Sequence, residues 1–424
     1  DWDRAYKMYN GVHWRDKHET NPSSDNVSDR ITVNITMSTV LNTVPFLMNQ
    51  TPQFRCKPRK PEKALSAKLQ ESVLNYEYEQ RDMDSQIRDA VLDAVIIGHG
   101  IVKVGYVLEL DKAKKKLDGE IVYEDYIKQD SPYAKRICPY YFLFDPTASE
   151  NNLETAQWCA EIFFVSFRDL CANQRYNPSV IRKLQLGIYS PDTKSTVFDN
   201  KKDPSLNHLT SENTASFPET DLVVCYEVWS KKHKKYFVFA SNVPEPLLEK
   251  DWPFDYIDGF PYHKVDYIPL PDELYGAGIP YSIEDQQFEL NRIRTAAFEH
   301  RRRFNRKYLA LKGKVSEQEA NKLIESPDGT VIFVDMFDCI KPLEDAPMSQ
   351  DNLLAEQMIR EDIRQLTGND QLIGGGQLPS RTTGTEVQSR TSLFRLKMDD
   401  RVKTIDNFVV KIGRQVLQHI KNNF

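Results

Sequence analysis

The sequence predicts an α+β subunit, with long helices on either side of a strand-rich middle. Three observations predict it. Leu65, Leu69, Val73 and Tyr76, then Met83, Ile87, Val91 and Ala94, repeat at helical spacing around a break near Asp82. Between Ile101 and Ala240 the chain carries short β-branched and aromatic runs bounded by turn residues. From Met398 to Ile420 the apolar residues keep a heptad-like spacing. A chain of 424 residues exceeds one ordinary core, so two or three packed units are expected. The hydrophobic share of 40% argues against wholesale disorder. The mean hydropathy of -0.57 points to much exposed or shared surface.

Taken in order, residues 1–30 are polar and aromatic, with a break at Asn21–Asp25. Ile31 to Val44 predict a helix over Asp29–Met48. Pro52, Pro58 and Pro61 punctuate a basic extended stretch, Arg55–Lys60. The long helical region follows and ends at Gly98 and Gly100. Ile101–Leu110 and Glu120–Lys128 read as a hairpin with Asp111–Gly119 as its loop. Arg136–Phe144 and Trp158–Val165 read as strands, and Phe167–Gln174 as a short helix. Residues 189–220 are a polar linker or loop. Strands resume at Leu222–Trp229 and Tyr236–Ala240, before a Pro- and aromatic-rich passage from Pro244 to Pro271.

Ser282, with Asp285 at the box position, caps a helix that carries Ile283, Leu290, Ile293 and Ala297 on one face and runs to about Arg303. A small αβ insert comes next: a strand at Tyr308–Leu311, a helix at Ser316–Ile324 and a strand at Thr330–Asp335. A second helix spans Asp351–Leu366, with Gly368 beyond its end. A Gly-rich loop leads to a capping box at Thr383 and Glu386. The helix opened there reaches toward Asn422, roughly 60 Å at 1.5 Å per residue, and a helix of that length is expected to run along a neighbour.

Composition removes several function classes. Lys+Arg of 56 against Asp+Glu of 62 gives a net charge of -6, unlike a strongly basic nucleic-acid binder. A protein that lets DNA pass without gripping it remains permitted. The richest apolar stretch, Val91–Leu110, is broken by Gly98, His99, Gly100 and Lys103, so no membrane span is expected. No signal pattern opens the chain, and its start at Asp1 rather than Met points to missing N-terminal sequence. Six scattered cysteines without a CxxC pair read as free thiols, and eight dispersed histidines lack metal-ligand spacing. Gly313-Lys314 has Tyr308 where a phosphate-cradling loop needs glycine, and Gly276-Ala277-Gly278 lacks a third glycine and a βαβ frame. HExxH, GxSxG and ExK do not occur. No catalytic residue, cofactor or metal is therefore expected, and the chain reads as a non-enzyme.

Two segments carry alternatives. The Gly-rich loop with Gly374, Gly375, Gly376 and Gln377 is either a plain connector or a mobile loop that touches a ligand. The cluster of Arg301, Arg302, Arg303, Arg306 and Lys307 is either a solvated helix end or a face for phosphates or an acidic partner. Lys112–Lys116 reads as an exposed hairpin tip, and Trp158, Trp229 and Trp252 read as core or interface anchors.

The order of helix, αβ insert, helix, Gly-rich loop and long helix resembles the second half of a tailed-bacteriophage portal protein, the head-to-tail connector family. The first half carries matching pieces: Asp93-Ala94-Val95-Ile96-Ile97-Gly98-His99-Gly100, Cys138 to Pro146, and Tyr275-Gly276-Ala277-Gly278-Ile279-Pro280 ahead of Gln287 and Asn291. Thr382-Thr383-Gly384-Thr385-Glu386 fits the opening of the last helix. The resemblance covers most of the chain and implies a portal-like subunit. Residues 1–280 would form an α/β wing, 281–304 the first stem helix and 305–348 a small αβ clip. Residues 349–367 would form the second stem helix, 368–382 the tunnel loop and 383–424 a long helix toward the crown.

That resemblance also implies a homo-oligomeric ring, a dodecamer, at the unique capsid vertex of the virion. It implies double-stranded DNA passing during packaging and ejection, and docking of the terminase large subunit, a head–tail adaptor and the major capsid protein. Assembly would occur in the host cytoplasm, with no membrane involved. Gly374, Gly375, Gly376, Gln377 and Arg381 would face DNA, and the basic cluster at Arg301–Lys307 would sit where stem meets clip. Another virion connector or baseplate component, or a nucleic-acid enzyme with a noncontiguous site, are the competing readings.

Overall fold

The computed structural model describes residues 2–14, 30–48, 51–117, 120–148, 153–184, 222–241, 243–252, 259–271, 273–304, 308–310, 340–342, 350–367 and 384–423. The N-terminal helices are α1 (Trp2–Tyr9), α2 (Ile35–Leu47), α3 (Ala64–Gln80) and α4 (Met83–Ile97). The strands β1 (His99–Leu117), β2 (Glu120–Ile137), β3 (Phe142–Phe144) and β4 (Trp158–Ser166) follow, then the short helices α5 (Phe167–Ala172) and α6 (Pro178–Ile181). Next are β5 (Leu222–Ser230), β6 (Lys235–Ala240), β7 (Pro246–Asp251) and β8 (Tyr262–Asp266). Helix α7 (Ile279–Phe304), strands β9 (Tyr308–Ala310) and β10 (Ile340–Pro342), and helices α8 (Gln350–Thr367) and α9 (Gly384–Asn423) complete the order. The mixed helix-and-sheet class is as expected.

Two antiparallel sheets organise the strand-rich part. One has the order β2-β1-β8, and the other is a meander, β3-β4-β5-β6-β7. The β9–β10 ribbon stands apart from both. Helix α4 buries Ala90, Val91 and every residue from Asp93 to Ile97, so its last turns are covered on all sides. Around it lies the main core, with contributions from α2, β1, α7, α8 and α9. A second core fills the space between the sheets, from Ile101 and Ile137 to Phe142, Phe144 and Trp229. A third places Leu170, Val180 and Ile181 of α5 and α6 against Cys225, Val238 and Leu247. Trp229 and Trp252 meet edge-to-face at 5.3 Å, as anchors should.

Several expectations are corrected. The hairpin loop is not Asp111–Gly119: β1 runs to Leu117 and its ladder pairs Leu117 with Glu120. Backbone pairing continues there past the end of the apolar pattern. The strand read over Arg136–Phe144 is split, because Pro139 cannot donate to a ladder and opens a 3₁₀ turn, Pro139–Tyr141, between β2 and β3. Helix α2 starts at Ile35 rather than Asp29, capped by the Asn34 side chain accepting from the Met37 amide at 3.0 Å. Helix α7 starts at Ile279, with Pro280 in its first turn, so Ser282 is not a cap; its hydroxyl donates to the Ile279 carbonyl at 2.8 Å. Strands β7 and β8 lie inside the passage read only as Pro- and aromatic-rich. The strand β9 pairs with β10. The elements expected at 316–324 and 330–335, the polar loop 189–220 and the Gly-rich loop lie outside the described residues.

Two apolar stripes differ in what covers them. Leu65, Leu69 and Tyr76 of α3 are exposed, and Ala67, Leu74 and Tyr78 are the residues turned inward. The heptad-like stripe of α9 behaves oppositely. Met398, Ile405, Val409, Ile412, Val416 and Ile420 are buried within the chain itself, against β1, β2, β8, α2 and α3. Along that stretch the helix is covered by the chain's own strands and N-terminal helices.

Two buried histidines make this packing pH-sensitive. The His99 ring lies 4.9 Å from both Trp2 and Tyr275, and among the described residues neither ring nitrogen has a hydrogen-bond partner. His263 of β8 bonds to the Gln415 side chain of α9. Burial, then Lys264, lowers the His99 pKa to about 3. Burial lowers that of His263 to about 4 against the opposing Gln415 bond. Both folded values lie below the unfolded value of about 6.5, so the unfolded chain takes up protons first as pH falls. The stabilisation is complete above about pH 6.5 and is lost progressively as pH falls toward about 4 for His263 and about 3 for His99. Thermal melts should fall steeply over that window, and His99→Phe combined with His263→Gln should flatten the curve. An unchanged slope in the double variant would refute this assignment.

Candidate functional site: the paired helices and their buried clamp

Helices α7 and α8 pack against each other, with β9 and β10 between them in sequence. Leu290 of α7 and Ile359 and Ile363 of α8 are buried in the shared core. At the surface of the pair, Glu356 accepts from Arg360 at 2.9 Å and from Arg294 at 3.3 Å. Such solvated pairs contribute about 0–1 kcal/mol, so apolar burial holds the helices together.

One face of α7 does different work. Gln287, Asn291 and Thr295 recur every four residues and so line one side of the helix. Each bonds to the extended chain that precedes α2. The Ile31 amide donates to Thr295 Oγ1 at 3.1 Å and the Val33 amide to Asn291 Oδ1 at 2.9 Å. The Ile35 and Thr36 amides both donate to Gln287 Oε1 at 3.2 Å, and Gln287 Nε2 donates to the Val33 carbonyl at 2.7 Å. Gln287 and Asn291 are fully buried, so every one of these groups needs a partner. His13 completes the clamp. Its Nε2 lies 2.8 Å from the Met8 carbonyl and must donate, which leaves Nδ1 to accept from Asn291 Nδ2 at 2.7 Å. Burial holds this imidazole below its ordinary pKa, in keeping with the neutral form. The clamp explains why the α2 helix begins late: the amides of Ile31, Val33, Ile35 and Thr36 are spent on α7.

Near the start of α7 the segment Tyr275–Pro280 meets the end of α4. A Cβ at Gly98 would overlap the Gly276 carbonyl, and one at Gly278 would overlap the Ile96 carbonyl. The two sequence motifs singled out separately are thus one junction in space.

The expected DNA-facing residues are not brought together among the described residues. Arg301 is exposed in the last turn of α7, with Nε 3.4 Å from the Ala297 carbonyl. Arg302 and Arg303 lie on the same turn of backbone, and Arg306 and Lys307 lie outside the described residues. Gly374, Gly375, Gly376, Gln377 and Arg381 also lie outside them, between the end of α8 at Thr367 and the start of α9 at Gly384.

A charged cluster between the sheets was missed. Lys103 of β1 reaches Glu161 of β4 at 2.7 Å and Glu227 of β5 at 2.8 Å. Tyr262 and Trp229 donate to the same carboxylates, at 2.9 Å and 2.7 Å. Burial pulls the Lys103 pKa down, but Glu227 and Glu161 outweigh it and hold the ammonium charged. The signal was present as a lysine inside an apolar run and one glutamate in each of two otherwise apolar strands.

Among the described residues no group of three or more His, Cys, Asp or Glu side chains is placed to hold a metal ion, and no helix is long and apolar enough to cross a membrane. Helices α7, α8 and α9 follow the order read from the sequence, and between α7 and α8 the described residues are the strands β9 and β10. Compared with known families, residues 2–424 match the model of the phage P22-like portal protein. The chain belongs to that family. No curated protein matches the chain. Portal membership makes it a structural component of the phage head–tail connector, in a family of oligomeric rings associated with the capsid vertex.

Proposed function

We propose that the chain is a ring-forming portal subunit through which double-stranded DNA is packaged and ejected. The observation that carries this reading is the family match over residues 2–424, joined to a helix pair, α7 and α8, whose first helix is tied to residues 31–36 by a buried clamp. In this reading residues 1–280 are the wing, 281–304 and 349–367 the stem helices, 305–348 the clip, 368–382 the tunnel loop and 383–424 the helix toward the crown. The clip would meet the terminase large subunit during packaging and the head–tail adaptor afterwards, and the wing would meet the major capsid protein. Twelve copies would form the ring. The net charge of -6 on each chain suits a conduit, since weak attraction for phosphate lets a duplex slide.

Gly374, Gly375, Gly376, Gln377 and Arg381 would touch the duplex. Arg301, Arg302, Arg303, Arg306 and Lys307 would keep it centred where stem meets clip. Electron microscopy of the purified protein should show rings with an axial channel about as wide as duplex DNA. A monomer without rings, or metal-dependent DNA cleavage by the purified chain, would count against the reading. Within it, Arg381→Ala should lower packaging or genome retention, and unchanged values would remove that residue from the channel.

A further inference from the structure

A ring built from identical chains needs two different surfaces on each copy, one to offer and one to receive. The chain leaves two such surfaces uncovered, and their charges are opposite. On α7, Tyr281, Asp285 and Glu289 follow one another at four-residue spacing and all three are exposed, Tyr281 by 66%. Neither carboxylate forms an ion pair among the described residues, and like charges four apart on a helix repel each other. On α3, Leu65 and Leu69 are exposed by 83% and 66%, with the exposed Lys68 beside them. Lys63 and the exposed bases of residues 55–60 continue this surface, against Glu62 as the single acid from 55 to 68. Both helices pack on α4, which fixes the two stripes in one rigid frame.

We propose that the α7 stripe of one copy docks on the α3 stripe of its neighbour. Tyr281 would cover Leu65 and Leu69, and Asp285 and Glu289 would face Lys63 and Lys68. Each side then covers what the other leaves open: apolar area that is costly in water, and charge without a partner. This contact rests on the ring reading above, but it can fail separately.

The test is a charge-reversal exchange in the full chain, read by sedimentation and electron microscopy. Asp285→Lys with Glu289→Lys should lower the assembled fraction about tenfold or more, as should Lys63→Glu with Lys68→Glu. Combining all four should restore assembly. Circular dichroism spectra, expected to match wild type because all four residues are exposed, and a retained cooperative melt separate assembly from folding. Rings formed normally by either reversal alone would overturn the contact while leaving the ring intact. So would failure of the four-fold variant to assemble with its fold preserved. If Lys63→Glu with Lys68→Glu assembles normally but loses affinity for duplex DNA, the α3 stripe is a nucleic-acid surface and the contact is wrong. Absence of rings in the wild type would instead remove the ring reading itself.

Discussion

Lys103→Met is expected to destabilise the subunit by about 3–5 kcal/mol, the usual cost of leaving a buried charge without its partner. Glu161 and Glu227 stand directly opposite each other in the β4–β5 register. Like charges in that position repel even on an open sheet. Here they face the space between two sheets, with side-chain exposures of 9% and 18%. Lys103 arrives from the other sheet and satisfies both. Methionine would keep the length and the apolar stem but leave two carboxylates facing each other, so one must take up a proton or water must enter. The prediction has an internal control. Converting both glutamates to glutamine in the Lys103→Met background removes all three charges, and it should recover most of the lost stability. Urea denaturation of the three proteins decides the matter. A Lys103→Met midpoint that corresponds to less than about 1 kcal/mol would show that the cluster does not pin the sheets together.

The same cluster shows where reading the sequence stops. Periodicity located α4, β4, β5, β6 and both halves of the α7–α8 pair, because period 3.6 and period 2 are local properties. Lys103 was visible as a break in an apolar run. Its partners lie 58 and 124 residues further on, and nothing local ties a lysine to one glutamate rather than another. Helix α3 makes a related point. It carries two apolar stripes, Leu65–Leu69–Tyr76 and Ala67–Leu74–Tyr78, and period alone says which residues share a face, not which face meets the core. Gln287 and Asn291 were found through the motif that surrounds them, but their work is to hold the backbone of residues 31–36, which no spacing reveals. For α9 the stripe signalled a covering surface but not which one: the chain's own sheet and N-terminal helices bury its second half.

The largest loss is expected at the α4–β1 junction, where Gly98→Ala and Gly100→Ala should each cost more than about 4 kcal/mol and abolish accumulation of folded subunit. Gly98 closes α4 with φ of 119° and passes its carbonyl to the Tyr267 amide at 3.0 Å. A methyl group there would overlap the backbone of Gly276 and Ala277, and one at Gly100 would overlap the backbone of Ala90. Backbone atoms cannot rotate away as a side chain does, so relief requires prising α4 from β1 or from the segment that starts α7. Each movement opens the main core. Gly259 separates the two possible causes. Its φ of 111° is as unfavourable for alanine, yet a methyl group there would meet nothing within 4 Å. Gly259→Ala should therefore cost only the backbone strain, about 1–3 kcal/mol. Soluble yield, and the melting temperature of any variant that does accumulate, distinguish the variants. If Gly100→Ala melted within a few degrees of Gly259→Ala, close backbone approach would not be what requires glycine at this junction. The shared contact of the 93–100 and 275–280 segments would then have to be held by the His99 ring between Trp2 and Tyr275 instead.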